Sequence, residues 1–295
     1  MRITNNYLYR QSLANLQRNL GAIEEALDQV ASGRRIRRVS DDPVDAGEAM
    51  RASGKLRALE QYKKNIGAAR TRLSAEEAVL EQLGDALSRA RELAIGQAGS
   101  TADESTRAVA KAEVDQLLDL VIQLANTEFQ GSYLFGGART DVRPIDPATG
   151  EPTDPTQPPE GERRVEIGSG QLVRTTHDAK TIFLDTGAIE ALRELSSALE
   201  ADDGAAIRDS LGRLEAAFDD VQVLLGDVGA RSNALDVAEA NVDAWAFSLT
   251  AYRSDLTEVE FEEAVTRLVN RSTALQAALM ANSRILQTTL TDYLR

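Results

Sequence analysis

The chain has 295 residues, enough for about two domains and a sizeable buried core, and its 33 Lys and Arg against 47 Asp and Glu leave a net charge of −14. That acidity argues against the whole chain binding nucleic acid or an anionic membrane. With no cysteine and a single histidine, His177, thiolate catalysis, zinc or haem ligation and any histidine-based triad are excluded, and no metal or other cofactor is expected.

The start, MRITNNYLYRQ, holds no apolar run of signal-peptide length, and no stretch is apolar enough to span a membrane. Leu13, Leu16, Leu20, Ile23, Leu27 and Val30 then recur at alternating steps of 3 and 4, a heptad seam on one helix. Ser32-Gly33 predicts its end, and after the basic link RRIRR, Asp42 as cap and Pro43 as first helical residue open a second helix running to about Ile95. Thr101 with Glu104 reads as a capping box for a third helix, striped by Val114, Leu117, Val121 and Leu124 and ending near Phe129.

Gly131 to Gly137 reads as a short aromatic strand closed by a glycine turn. Six of the seven prolines fall between Pro144 and Pro159, in a loop that leads into a β-hairpin of residues 165–167 and 172–176, with Thr181 to Leu184 as a further strand. His177 is expected on an exposed loop. Asp141, Asp146, Glu151 and Asp154 lack the register of a calcium loop and are expected in a flexible exposed one.

Helix resumes at about Ala188, breaks at Asp202-Asp203-Gly204, and continues from about 205 to 256, roughly 78 Å at 1.5 Å per residue. Its seam runs from Ile207 to Val259, with a stammer between Leu235 and Ala238 and with Trp245 expected as a core anchor. Thr257 with Glu260 reads as another capping box, before a last helix carrying Leu268, Leu275, Leu279 and Leu286.

The layout is palindromic, with coiled-coil helices at both ends of the chain and a β-rich insert between them. The expected fold is mainly α: an elongated antiparallel coiled-coil rod or bundle built from both chain ends, with a small inserted β domain. Residues 1–40 carry seven basic and three acidic side chains, so the two ends are not mutually repulsive. A two-helix pair has too little core to stand alone in water. The seams Leu13, Leu16, Leu20, Ile23 and Leu27, with Leu268, Leu275, Leu279 and Leu286, are therefore read as a subunit interface. Arg34, Arg35, Arg37 and Arg38 lack interleaved aromatics and run into Asp41 and Asp42, so a salt-bridged hinge is favoured over a nucleic-acid patch.

SGRRIRRVSDDPVDAG (32–47), GDVGARSNALD (226–236) and the C-terminal EFEEAVTRLVNRSTALQAALMANSRILQTTLTDYL resemble the signatures of the bacterial flagellin superfamily. Within it, MRITNNYLYRQ, ASGRRIRRVSDDP and FQGSYLFGG (129–137) are most similar to the branch that forms the hook–filament junction. The resemblance implies a non-enzymatic, self-assembling protein of the flagellum, exported without a cleaved signal through the flagellar type III apparatus. Implied partners are copies of itself in a ring or filament layer, a hook-associated protein on the hook side, flagellin on the distal side and an export chaperone. It also implies a domain plan: 1–40 with 257–295 as an inner tube, 41–138 with 186–256 as a long-helix bundle, and 139–185 as the outer insert. The links between inner and outer layers, with Arg34, Arg35, Asp41, Asp42, Pro43, Thr257 and Glu260, would be hinges. Filament flagellin itself, and a cytosolic coiled-coil scaffold, are the alternatives. Replacing residues 139–185 by a short Gly/Ser connection is expected to leave polymerisation intact.

Overall fold

The computed structural model describes the backbone of residues 2–99 and 103–293, with the side chains of residues 7, 10–99 and 103–283. Helix α1 (Arg2–Ser32) stops where Gly33 takes φ +67°, its N–H donating to the Gln29 carbonyl at 2.8 Å. Helix α2 (Pro43–Gln97) opens on the proline, with the Asp42 carboxylate accepting from the N–H groups of Val44 (3.2 Å) and Asp45 (3.1 Å). Helix α3 (Glu104–Ala125) is capped two residues later than expected. Asp103 accepts from the Thr106 N–H and the Thr106 hydroxyl returns the bond, so the box is Asp103/Thr106, and Thr101 lies outside the described residues. The helix also ends short of Phe129, because Asn126 turns its side chain back onto the Ile122 carbonyl and across to that of Ile145.

Phe129 instead belongs to a minimal hairpin, β1 (Glu128–Phe129) with β2 (Ser132–Tyr133). Its turn residues, Gln130 and Gly131, both have positive φ, as a tight two-residue hairpin turn requires. The following Gly136-Gly137 is dictated by space: a Cβ at 136 would lie 2.7 Å from the Arg139 carbonyl oxygen, and one at 137 only 2.5 Å from that of Glu160. The expected hairpin forms as β3 (Arg163–Gly168) and β4 (Gln171–Thr176), antiparallel, pairing Val165 with Val173.

Residues 180–185 are no strand. They form a π-helical turn in which the adjacent Ile182 and Phe183 are both fully buried, whereas a strand would send neighbours to opposite faces. Helix α4 (Ala188–Glu200), the break at Asp202 to Gly204 and helix α5 (Gly204–Thr257) follow the sequence pattern, and α5 runs unbroken through the stammer. Thr257 does not cap the last helix; it ends α5, its hydroxyl donating to the Arg253 carbonyl at 2.8 Å. Helix α6 (Phe261–Tyr293) opens instead on Glu260, whose carbonyl accepts from the Ala264 N–H.

The chain divides into two compact units, residues 59–244 and residues 1–58 with 245–295. In the first, α2 and α5 run antiparallel, tied by Lys63 to Asp243 (2.7 Å), Arg70 to Asp236 (2.7 Å) and Arg91 to Glu215 (3.3 Å). These exposed pairs contribute at most about 1 kcal/mol each; they set register, and burial supplies the strength. One continuous core joins Leu73, Leu80 and Leu87 of α2, Val114 and Val121 of α3, Leu192 and Leu195 of α4, and Leu214, Val221 and Leu235 of α5.

The insert contributes to that same core through Ile145, Ile167, Ile182 and Phe183. Residues 139–185 are therefore not detachable: cutting them out would strip the core of an edge-to-face aromatic pair, Phe135 on Phe183 at 5.6 Å. The loop of Asp141 to Asp154 is likewise anchored, with Pro144 and Ile145 buried and Arg139 paired to Asp154 at 3.2 Å.

In the other unit α1 packs antiparallel on α6. Ser12 bonds Asn282 and the Arg267 guanidinium reaches Gln29, while beyond the helix ends the backbones of Arg34 and Glu258 form an isolated antiparallel bridge. Trp245, expected in a core, is 65% exposed here.

Candidate assembly interface

The N-terminal seam divides into two rows when α6 covers it. Leu16 and Ile23 are half-buried, in line with Ser12, Asn19 and the buried Ala26, so this stripe meets α6. Leu13, Leu20 and Leu27 form the neighbouring row and remain 45–54% exposed. Helix α6 repeats the division: Ala264 is buried and Leu268 and Leu275 are half-buried, whereas Leu279 is half exposed, as are Val269 and Met280 nearby. The side chain of Leu286 lies outside the described residues. Covering each half-exposed leucine from water would add about 1 kcal/mol, so a row of them is a substantial unspent source of association energy.

The two interhelix links of this unit are brought together. Arg35 N–H donates to the Thr257 carbonyl at 2.8 Å, Ile36 N–H to the same oxygen at 3.4 Å, and Val259 N–H to the Gly33 carbonyl at 3.0 Å. The Arg35 guanidinium also donates to Asp45, to Asp42 at 3.2 Å and to the Leu256 carbonyl at 2.6 Å. Asp45 and then Asp42 raise the Arg35 pKa. Asp42 in turn is held below the usual carboxylate range, first by the Asp45 N–H and then by Arg35. Asp41 is lowered by the backbone N–H groups of Arg38 (2.8 Å) and Arg37 (3.0 Å), which fold the basic link into a tight turn. Of the sequence-predicted hinge residues, Arg34, Arg35, Asp42, Pro43 and Thr257 thus share one cluster, Asp41 shapes the adjoining turn, and Glu260 starts α6.

A second polar cluster went unread. His177 is not on an exposed loop; it is 4% exposed, its backbone N–H donating to Glu76 at 3.0 Å and its Nδ1 against the same carboxylate. Its Nε2 faces Asp227 (3.1 Å), Arg231 (2.8 Å) and Arg174 (3.1 Å), so α2, α5 and the end of β4 converge on one ring. Burial, and then the charge of Arg174, pull the Arg231 pKa down to about 10, against the opposing pull of Glu76 and Glu162. The signal was present at Glu76, which occupies a core position of the Leu73, Leu80 stripe; a carboxylate there demands a buried partner. The cluster locks the hairpin onto the helices. Among the described residues no group of three or more His, Asp or Glu converges to hold an ion. No described helix is long and apolar enough to cross a membrane.

Comparison with known proteins fits this arrangement of two helical ends around an insert. The family model of the bacterial flagellin N-terminal helical region matches residues 3–140, and that of the C-terminal helical region matches 211–294. Flagellar hook-associated protein 3 of Salmonella typhimurium is 26% identical, the alignment covering 94% of this chain and 95% of that one. The flagellin of Bacillus subtilis is also 26% identical, over 94% of each. Among solved structures, a flagellar hook-associated protein of Vibrio parahaemolyticus superimposes with a TM-score of 0.67 at 20% identity, over 74% of this chain and 100% of that one. FlgL of Bacillus cereus gives 0.60 at 22%, over 69% and 99%. These two likenesses concern the fold.

Proposed function

This chain belongs to the bacterial flagellin family of structural, non-enzymatic flagellar proteins, and we propose that it is the junction component joining the hook to the flagellin filament. The observation that carries the reading is the end-to-end alignment with hook-associated protein 3, insert included. The outward rows Leu13, Leu20, Leu27 and Leu279 support self-assembly, because they offer a second apolar face on a helix pair already closed on its first.

In this reading copies of the chain pack side by side as a ring or filament layer. Residues 1–40 with 257–295 form the inner wall and the cluster around Arg35 and Thr257 holds the link to the outer layer. The ring meets a hook-associated protein on one face and flagellin on the other. The chain leaves the cell without a cleaved leader, with an export chaperone guarding its apolar rows beforehand.

Deleting the gene tests this. Cells should keep their hooks and shed flagellin monomers into the medium; normal attached filaments in the deletion strain would overturn the junction assignment. Filament flagellin is the second reading, favoured by the full-length match to the Bacillus subtilis protein. Copy number separates the two, since a junction ring needs few chains per flagellum and a filament needs thousands.

A further inference from the structure

Beside the linked hinge lies a groove of about 500 Å³, wholly within the unit of the chain ends, with Ile36, Ala46 and Ala49 buried at its base and Val39 and Met50 exposed along it. Its walls carry Arg34, Arg38, Arg57 and Arg253, and among the described residues none of these four pairs with a carboxylate. Four guanidinium groups without an ion-pair partner, against the single lining carboxylate of Glu258, are conspicuous around an apolar floor in a chain of net charge −14. The groove asks for an acidic segment with an apolar centre.

The same unit displays such a segment. At the start of α6, Phe261 is 65% exposed and is flanked by Glu260 and Glu262, which have no cationic partner among the described residues. Acidic residues in a first helical turn are favoured by the helix dipole, which accounts for Glu262 and Glu263. It does not account for a bare phenylalanine beside them.

We propose that the Glu260-Phe261-Glu262 segment of one copy docks into the arginine-lined groove of a second copy. This inference rests on the self-assembly part of the proposed function and names the contact. Groove and segment are different patches close together on one chain, for Thr257 and Glu258 line the groove itself. Used head to tail, the contact repeats from copy to copy, as a ring or a helical layer requires.

The absence of native cysteine makes a clean test possible in the full chain. One variant carries Ser53→Cys in the groove wall. The other carries Glu263→Cys, whose carboxylate otherwise pairs with Arg267 and is not needed for docking. When the two are mixed and treated with a short bismaleimide, cross-linked dimer should exceed that of either variant alone several-fold. Arg38→Glu with Arg57→Glu should cut both cross-linking and sedimentable oligomer at least about tenfold by setting like charges face to face, and Glu260→Arg with Glu262→Arg in the partner should restore them. If the wild-type chain assembles but the mixed pair cross-links no better than the single variants, the groove contact is wrong while self-assembly stands, and the groove belongs to another flagellar protein. If the wild-type chain stays monomeric at every concentration, self-assembly fails and the contact falls with it.

Discussion

The two units use the same heptad grammar to opposite ends. Residues 59–244 bury their large side chains: Phe135, Phe183, Ile66, Leu73, Leu80 and Leu83 are all at or near zero exposure. In the unit of the chain ends, the buried apolar residues described are Ile36 and five alanines, Ala26, Ala46, Ala49, Ala52 and Ala264. Its bulky residues, among them Leu13, Leu20, Leu27, Met50, Trp245, Phe247 and Phe261, stand in water. A seam of small residues lets two helices approach closely but yields little burial per turn, so this pair gains its stability from whatever covers the larger residues next to it. The difference teaches that periodicity reports a surface made for packing; the size of the residues actually covered reports whether the chain packs it alone.

That contrast can be broken most forcefully in the core unit. Phe183→Ala should lower unfolding stability by about 3–5 kcal/mol in denaturant titrations, because a fully enclosed ring leaves a cavity in a close-packed site. A loss below about 1 kcal/mol would mean the insert is not part of that core. Glu76→Ala comes next, at about 3 kcal/mol, since it strands the buried His177 N–H groups and leaves Arg231 facing one carboxylate fewer.

In the end unit the expected effects shrink for the monomer and grow for the polymer. Leu275→Asp, on the stripe that meets α6's partner, should cost the monomer about 1–2 kcal/mol, whereas Leu20→Asp, on the outward row, should cost under about 0.5 kcal/mol. Both should abolish sedimentable polymer, and a Leu20→Asp chain that polymerises normally would remove the outward row from the interface.

Smallest is the cap of α3. The Thr106 N–H, then the Thr106 and Ser105 hydroxyls, hold the Asp103 pKa below its ordinary value. A depressed carboxylate stabilises the fold above its unfolded pKa of about 3.9, and that contribution is lost as pH falls through the folded value. Asp103→Ala should therefore lower the melting temperature at neutral pH, and its deficit against the wild type should close in acid. A deficit that stays constant with pH would assign the effect to helix propensity alone.

Much of this was legible beforehand. Gly33, Pro43 and the Asp202 to Gly204 break mark helix ends by backbone chemistry that no tertiary contact overrides, and the alternating steps of 3 and 4 locate the long helices. What could not be read was choice between equals. Thr101 with Glu104 and Asp103 with Thr106 both offer a capping oxygen three residues before a polar side chain, and the described helix uses the second. Ile182-Phe183-Leu184 is too short for its apolar run to reveal a period, and it became a helical turn because the core needed two adjacent side chains at once. His177 sits among polar neighbours in sequence, so its burial depended on Glu76, a hundred residues away. For the candidate interface, the rows Leu13/Leu20/Leu27 and Leu16/Ile23/Val30 are equivalent on paper. The position of α6 decides which one the chain covers for itself.

The paired links around Arg35 and Thr257 have a kinematic consequence. Two separate linkers would give α1 and α6 independent torsional freedom, so either could swing or slide without the other. The rungs from Arg35 and Ile36 to Thr257 and from Val259 to Gly33 fuse the linkers into a single composite joint. A twist or pull applied to either end of the chain is therefore transmitted to both strands of the linkage at once. The terminal pair responds to load as one lever instead of two loose threads.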